Sequence, residues 1–157
     1  MAGSAPFRFR SVARLVVAVL VGCALGLGGY GVVYADALSY LGEEPRTCAN
    51  CHVMKEQYDS WRKGSHQAEA TCNDCHLPHD SVLAKYGTKA EDGLLHVTKF
   101  TLGTYPQNIT IRDKSQAIVN AACLDCHGDL TTEMRYTMSA ADEQIRCTRC
   151  HSTVGHD

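Results

Sequence analysis

One long apolar segment near the N-terminus dominates the hydrophobic pattern of the chain. Residues 15–34 form a run of twenty positions without a charged side chain. A helix of that length rises about 30 Å, which matches the hydrocarbon core of a bilayer. Residues 1–14 carry three arginines and no acid, so the positive-inside rule places them in the cytoplasm. The pattern predicts a single transmembrane anchor at 15–34.

A cleaved signal peptide is the alternative reading of this segment. Ala35-Asp36-Ala37 is a poor cleavage site, and the apolar run is longer than the 7–15 residues usual in a signal peptide. We therefore favour an uncleaved anchor, with residues 35–157 on the outer side of the membrane. Gly22 and Gly26 have the spacing that packs membrane helices closely, although glycine is also common in such helices generally.

Beyond the anchor, we expect a mainly α domain of short helices and loops, with little or no sheet. The longest helix is expected to be capped by Asp80 or Ser81 and to run to about Thr101. Ser139 with Asp142 resembles a capping box for a last helix that enters Cys147. On the longest helix one stripe about 60° wide combines two cations, a carboxylate and an imidazole: Lys85, Lys89, Asp92 and His96.

The cysteines add a prediction of bound cofactors, because eight of the nine belong to a repeated C-x-x-C-H motif. In that motif two thiols bond one porphyrin and the histidine becomes an axial ligand of the iron. Zinc ribbons are the alternative, but they do not require a histidine after every second cysteine. We predict four covalently attached haem c groups. The thiols are Cys48, Cys51, Cys72, Cys75, Cys123, Cys126, Cys147 and Cys150, and the histidines are His52, His76, His127 and His151.

The spacing of the motifs indicates two dihaem units, at about 48–76 and 123–151, because the cysteines within each pair are 24 residues apart. Haem of this type is attached outside the cytoplasm, in agreement with the predicted topology. So many porphyrins in residues 35–157 leave a core made largely of haem. The formal charge of −2 gives no reason to expect nucleic acid as a partner.

Four irons need up to eight axial ligands, and the motifs supply four histidines. Among the free histidines, His66 and His96 are the first candidates. His79 follows His76 too closely to reach back over the same haem, and His156 lies next to the mobile C-terminus. Thioethers are further candidates, although a core methionine is the plainer reading of Met54. These are Met54, Met134 and Met138.

The single anchor followed by four motifs resembles the NapC/NirT family of membrane quinol dehydrogenases. Two features resemble the branch of that family that serves cytochrome c nitrite reductase. One is the C-x-x-C-H-x-M sequence at Cys48–Met54. The other is His76-Leu-Pro-His79-Asp80 followed by the stripe at residues 85–96.

The resemblance implies roles for individual residues. Met54, rather than His52, would ligate the first haem, and Asp92 would lie over the other face of that iron. Lys85 or Lys89 would border a menaquinol pocket with Asp92. His66 and His96 would be distal ligands of later haems. One haem would lack a second ligand from this chain, and a lysine of the catalytic partner would fill that position. The iron-ligand set implied in this chain is Met54, His76, His127, His151, His66, His96 and Asp92.

The resemblance also implies a function at the bacterial inner membrane, with the haem domain on the periplasmic side. The chain would oxidise menaquinol and pass electrons to a periplasmic multihaem subunit, the large subunit of nitrite reductase. A different periplasmic reductase, or a passive anchored electron carrier, is the alternative. A terminal reductase or small-molecule sensor is disfavoured, because the sequence has no catalytic residues beyond the haem motifs and no C-x-x-C-K variant.

Overall fold

The computed structural model describes residues 5–134 and 146–156, with side chains from residue 10 onward. Helices dominate these residues and no strand occurs among them, which confirms the predicted mainly α fold. The α-helices are α1 (Ala5–Tyr34), α2 (Lys55–Trp61), α3 (Cys72–His76), α4 (Val82–Leu102) and α5 (Asp113–His127). Short 3-10 helices lie at Ala37–Leu41, Pro45–Asn50, His52–Met54 and Cys147–Arg149.

The chain divides into two compact units, Met1–Ser39 and Tyr40–Asp157. The first unit contains α1, whose segment Arg10–Tyr34 is apolar and long enough to cross a membrane. This span begins five residues before the predicted anchor and includes Arg10 and Arg14. Large apolar side chains are exposed along it, as expected of a helix that meets lipid rather than a protein core.

Helix α4 is the longest element of the second unit and confirms the helix expected from Asp80 or Ser81 to about Thr101. The Ser81 hydroxyl caps it by accepting a hydrogen bond of 3.0 Å from the Ala84 N–H. Gly103 ends it in the left-handed conformation, with φ of 63°, which glycine adopts without strain. The capping pair Ser139 and Asp142, and the candidate ligand Met138, lie outside the described residues.

Helix α3 is a single short helix made entirely of the second haem motif. Thr71 and Asp74 form a capping box in front of it, because the Asp74 carboxylate accepts hydrogen bonds of 2.7 Å from the Thr71 N–H and hydroxyl. The cap was not predicted, although a threonine three residues before an aspartate is its signature. The cap fixes Cys72, Cys75 and His76 in one helical segment.

The second unit packs its haem motifs against each other around a very small apolar core. Helix α3 packs on α5, and α2 packs on the 3-10 helix Pro45–Asn50. Only Leu77 and Ala122 are buried apolar residues in the described part of the chain. Asn120 is buried as well, and its side-chain oxygen accepts a 2.8 Å hydrogen bond from the Cys147 N–H. That bond joins the fourth motif to the helix that carries the third.

Candidate functional site

The thiols of neighbouring motifs lie against each other. Cys48 contacts Cys72, and this contact lowers the pKa of Cys48 to about 7 and raises that of Cys72. Cys123 likewise contacts Cys147; its pKa rises to about 11, chiefly because it is partly buried. The attachment points of the first and second motifs, and of the third and fourth, are therefore close together in space.

Two properties of the second unit suit covalently bound haem: its cysteines and histidines, and its small apolar core. Eight thiols are free of disulfides in the four motifs, and each pair is followed by a histidine. A unit of this length ordinarily needs a larger apolar core to offset its chain entropy. Porphyrins would supply that apolar surface.

His66 lies beside the histidine of the third motif. The ring centroids of His66 and His127 are 6.1 Å apart, and the ring planes are nearly perpendicular, at 78°. Two imidazoles that bind one metal ion from opposite sides have their nitrogens about 4 Å apart, since each metal–nitrogen bond is about 2 Å. The ring centroids lie further from the metal than the nitrogens do, so a centroid separation of 6.1 Å fits such a pair. The structure thus gives His66, a predicted distal ligand, a definite neighbour among the motif histidines.

His156 lies beside the histidine of the second motif, which sequence analysis did not expect. The ring centroids of His76 and His156 are also 6.1 Å apart, with planes nearly parallel, at 6°. Burial, together with His156, lowers the pKa of His76, and the neutral imidazole is the form that binds metals. Proximity to the C-terminus was the reason for ranking His156 last. His156 lies far from His76 in the sequence, so no local pattern would have revealed this contact.

His79 uses both ring nitrogens in contacts with two haem motifs. One nitrogen lies 2.8 Å from the Asp74 carbonyl oxygen, and the other lies 2.9 Å from the Asp125 carboxylate. Asp74 and Asp125 occupy the same position of the second and third motifs, directly before the second cysteine. His79 therefore bridges these motifs.

The first motif has different surroundings from the second and third motifs. The exposed His52 ring packs edge-on against Phe100, with centroids 6.2 Å apart. Met54 is half-buried at the end of the same 3-10 helix. The Tyr40 hydroxyl lies 4.0 Å from the Cys51 sulfur, and burial, followed by the charge of Cys51, raises the Tyr40 pKa to about 12. The first motif histidine thus packs on an aromatic ring rather than beside a second histidine.

Lys85 and Lys89 of α4 both hold the linker that precedes the first motif. Lys85 forms an ion pair with Glu43, which raises the Lys85 pKa. The Lys89 ammonium donates to the Gly42 carbonyl at 2.5 Å and to the Leu41 carbonyl at 3.3 Å. Burial, and then the charge of Lys85, lowers the Lys89 pKa. The two lysines occupy one face of α4 as predicted, and they fix residues 41–43 there.

Asp92 lies one turn further along α4 and pairs with Arg112, which immediately precedes α5. The Arg112 guanidinium donates to Oδ1 of Asp92 and, at 3.2 Å, to Glu91. Lys114 pairs with Glu91 as well. Asp92 also acts on His76, since its charge partly opposes the lowering of the His76 pKa. Arg112 thus holds two adjacent carboxylates, a role that was not predicted from the sequence.

The predicted residues are not all brought together. His96 is exposed on α4, and the ring contacts between histidines that the structure describes involve other residues. His151 is exposed after the last 3-10 helix. The roles of Met54, Asp92, Lys85, Lys89 and His96 stay predictions.

Almost the whole chain is similar to known proteins. Residues 8–157 match the family described as the NapC/NirT cytochrome c family, N-terminal region. The cytochrome c-type protein NrfH of Wolinella succinogenes is 38% identical over 147 residues, covering 88% of this chain and 82% of that protein. The cytochrome c nitrite reductase subunit NrfH of Nitratidesulfovibrio vulgaris is 33% identical over 138 residues, with the same coverages.

A solved structure is also similar. It is a crystal structure of the cytochrome c nitrite reductase NrfHA complex bound to the HQNO inhibitor. The match has a TM-score of 0.62 and 32% sequence identity, and it covers 90% of this chain and 88% of the other.

Proposed function

The chain belongs to the NapC/NirT cytochrome c family, and on that premise we propose that it oxidises menaquinol and reduces a periplasmic nitrite reductase. The observation that carries this proposal is the overlap of about nine-tenths of the chain with NrfH proteins and with an NrfHA complex. The protein is a membrane-anchored c-type cytochrome. Its partner is the catalytic subunit of cytochrome c nitrite reductase.

We assign four covalently attached haem c groups to the four motifs. When bound, each haem accepts and donates one electron at a time. The motif cysteines of this chain would hold the porphyrins, and its histidines would ligate the irons. The thiol contacts Cys48–Cys72 and Cys123–Cys147 support close spacing of the haems within each pair.

We further assign two pairs of histidines as axial ligands, His66 with His127 and His76 with His156. Their centroid separations of 6.1 Å support this assignment. Met54 remains our proposed ligand of the first haem. His52 packs on Phe100, which is compatible with a histidine that is not a ligand.

Asp92 is our proposed proton acceptor in quinol oxidation. A quinol releases two protons along with two electrons, so a carboxylate beside the oxidised hydroxyl speeds the reaction. Arg112 contacts Oδ1 of Asp92, and we assign proton acceptance to Oδ2. Lys85 and Lys89 lie on the same face of α4. Either ammonium can orient a quinol oxygen when it gives up its contact with residues 41–43 and donates to the quinol instead.

The orientation that we propose follows from the anchor. The arginines at the N-terminal end of α1 keep the N-terminus on the cytoplasmic side of a bacterial inner membrane, and the unit Tyr40–Asp157 lies on the periplasmic side. Electrons then leave toward the soluble catalytic subunit. A haem that lacks a second ligand from this chain would take a lysine of that subunit.

Reconstitution tests this function directly. The full-length holoprotein is placed in proteoliposomes with menaquinol, purified nitrite reductase catalytic subunit is added outside, and nitrite consumption is followed. We expect nitrite consumption only when the membrane protein, menaquinol and catalytic subunit are all present. Nitrite consumption by this chain without the catalytic subunit would instead identify a terminal reductase. Equal rates without this chain would show that it is not the quinol dehydrogenase of the system.

A further inference from the structure

The proposed ligand His66 lies in the loop between α2 and α3, and hydrogen bonds hold that loop in consecutive turns. The His66 carbonyl accepts from the N–H groups of Glu69, at 3.1 Å, and of Ala70, at 2.8 Å. The Gly64 N–H donates to the Trp61 carbonyl at 2.9 Å. Turns therefore flank His66 on both sides, and the position of its ring depends on how the whole loop is held.

Trp61 joins the two ends of this loop. Its indole N–H donates to the Ala70 carbonyl at 3.0 Å, across nine residues of sequence. The N–H of Ala70 donates in turn to the His66 carbonyl, so one residue links the indole to the backbone of His66. An indole has a single donor and no acceptor. This bond is therefore the one hydrogen bond through which the Trp61 side chain acts on the loop.

Helix α2 fixes the direction of the indole. The Trp61 ring packs on Tyr58, one helical turn earlier, with ring centroids 5.8 Å apart. The Arg62 guanidinium lies over the Tyr58 ring, 5.8 Å from its centroid. These contacts restrict the rotamer of Trp61, and the N–H stays directed at the far end of the loop.

The neighbours of the His66 ring suit a histidine that binds a metal ion through Nε2. The Ser65 hydroxyl lies 3.3 Å from Nδ1 of His66, and a hydroxyl oxygen can accept the Nδ1 proton. Nε2 is then the unprotonated nitrogen, which is the form of imidazole that ligates metals. With the His127 ring 6.1 Å away by centroids, Nε2 is the nitrogen that we assign to the iron of the third motif.

We propose that Trp61 is a positioning residue for His66 and keeps its imidazole within reach of that iron. Without the indole N–H, the Ala70 end of the loop is no longer tied to α2, and the ligand is held less firmly. A haem iron that lacks an axial ligand becomes high-spin when oxidised and binds carbon monoxide when reduced. Trp61 has this role only if His66 and His127 bind one iron, as proposed above, so the experiment tests both.

Carbon monoxide binding to the reduced, full-length holoprotein measures how firmly His66 is held. Absorbance gives the number of haems per chain that bind carbon monoxide, relative to the unaltered protein. His66→Ala is expected to add one such haem, and Trp61→Phe, which lacks the indole N–H, a measurable fraction of one. Added imidazole should return that haem to the low-spin form in both oxidised variants. Tyr58→Phe is the matched control, because it keeps the bond from Trp61, and it should bind no more carbon monoxide than the unaltered protein.

An isosteric tryptophan analogue separates the hydrogen bond from packing. Trp61 is the only tryptophan of the chain, so growth with benzothienylalanine, which carries sulfur in place of the indole N–H, changes this position alone. We expect the same gain in carbon monoxide binding as in Trp61→Phe, and this arm decides the matter if Trp61→Phe loses haem.

The outcomes distinguish the role of Trp61 from the ligand pairing. A gain in His66→Ala together with no gain in the analogue protein would overturn the proposal and leave the pairing of His66 with His127 intact. No gain in His66→Ala would show that the pairing itself is wrong, and the role of Trp61 would fall with it.

Discussion

At the scale of single residues, Arg112 is the side chain that the structure adds to the proposed quinol site. Its guanidinium reaches both Asp92 and Glu91 on α4, and a planar fork of this kind suits two neighbouring carboxylates better than an ammonium does. We interpret Arg112 as a positioning residue for Asp92, because it contacts the carboxylate without occupying both of its oxygens.

Replacing Arg112 by Gln is therefore expected to slow menaquinol oxidation while leaving every haem attached. The loss should appear as a lower kcat, since the misplaced carboxylate accepts the proton less readily. Steady-state kinetics with a menaquinol analogue, beside the haem absorbance, measures both. Lys114→Gln is the matched control, because Lys114 contacts Glu91. Equal kcat values in the two variants would contradict the positioning role.

The two free histidines His156 and His96 give a second prediction at this scale. His156→Ala is expected to convert one low-spin haem to a high-spin form, because it removes the imidazole that we pair with His76. His96→Ala, at an exposed site on α4, should leave that haem unchanged. Electron paramagnetic resonance of the oxidised holoprotein measures the spin states. A change in His96→Ala alone would restore the ligand assignment made from the sequence.

Single residues were only partly predictable from the sequence. The motif cysteines and histidines could be identified because covalent attachment defines their pattern, and His66 is a ligand candidate whose role stays a prediction. His156 and Arg112 could not be identified, because their contacts join segments that are far apart in the chain. His79 shows the same limit, since its two partners lie in different motifs.

At the scale of elements, α3 depends on its capping box more than on helix propensity, because so short a helix cannot form alone. Burial tends to raise the pKa of Asp74, but the two hydrogen bonds from Thr71 outweigh it and the net pKa is lowered. Because the pKa of Asp74 is lower in the folded protein, its carboxylate stabilises the fold at pH values above the aspartate pKa of the unfolded chain, about 3.9. This stability is lost as the pH falls through the pKa of Asp74 in the folded protein.

Asp74→Asn is accordingly expected to lower the free energy of unfolding at pH 7 by about 1 kcal/mol, typical of a helix cap. The difference from the unaltered protein should shrink as the pH falls below about 4, where the aspartate is protonated too. Guanidinium unfolding of the holoprotein, followed by circular dichroism, measures it. Asp129→Asn, at an exposed aspartate after α5, is the control. A difference that is independent of pH would contradict this origin of the stability.

The longest element was the most predictable one. Helix α4 carries its own signals, with Ser81 at its start and Gly103 at its end, so its bounds follow from local chemistry. The 3-10 helices around the first motif are too short to show a helical pattern of apolar residues in the sequence. Their conformation depends on contacts with the rest of the unit and on the cysteines, which are not visible in a hydrophobic pattern.

At the scale of the whole molecule, the fold and the cofactors depend on each other. The described part of Tyr40–Asp157 buries only Leu77 and Ala122 as apolar residues. Fixing one residue's backbone costs about 1–2 kcal/mol of conformational entropy, and so small an apolar core cannot offset that cost. We therefore expect the second unit to fold only with haem attached.

Chain produced without haem attachment should keep the helical signal of α1 in detergent and lose most of the remainder. Far-UV circular dichroism gives the helix content, and limited proteolysis shows whether residues 40–157 are protected. A second unit that is helical and protease-resistant without haem would contradict a haem-dependent core.

We propose that this chain takes electrons from quinol through the residues around Asp92, and a titration of the isolated holoprotein shows whether it does. The purified holoprotein in nanodiscs, without any reductase, is mixed with a menaquinol analogue while haem reduction is followed by absorbance. We predict rapid reduction in the unaltered protein and slow reduction in Asp92→Asn with the same haem content. Haems that dithionite reduces but quinol does not, or full-speed reduction in Asp92→Asn, would contradict it.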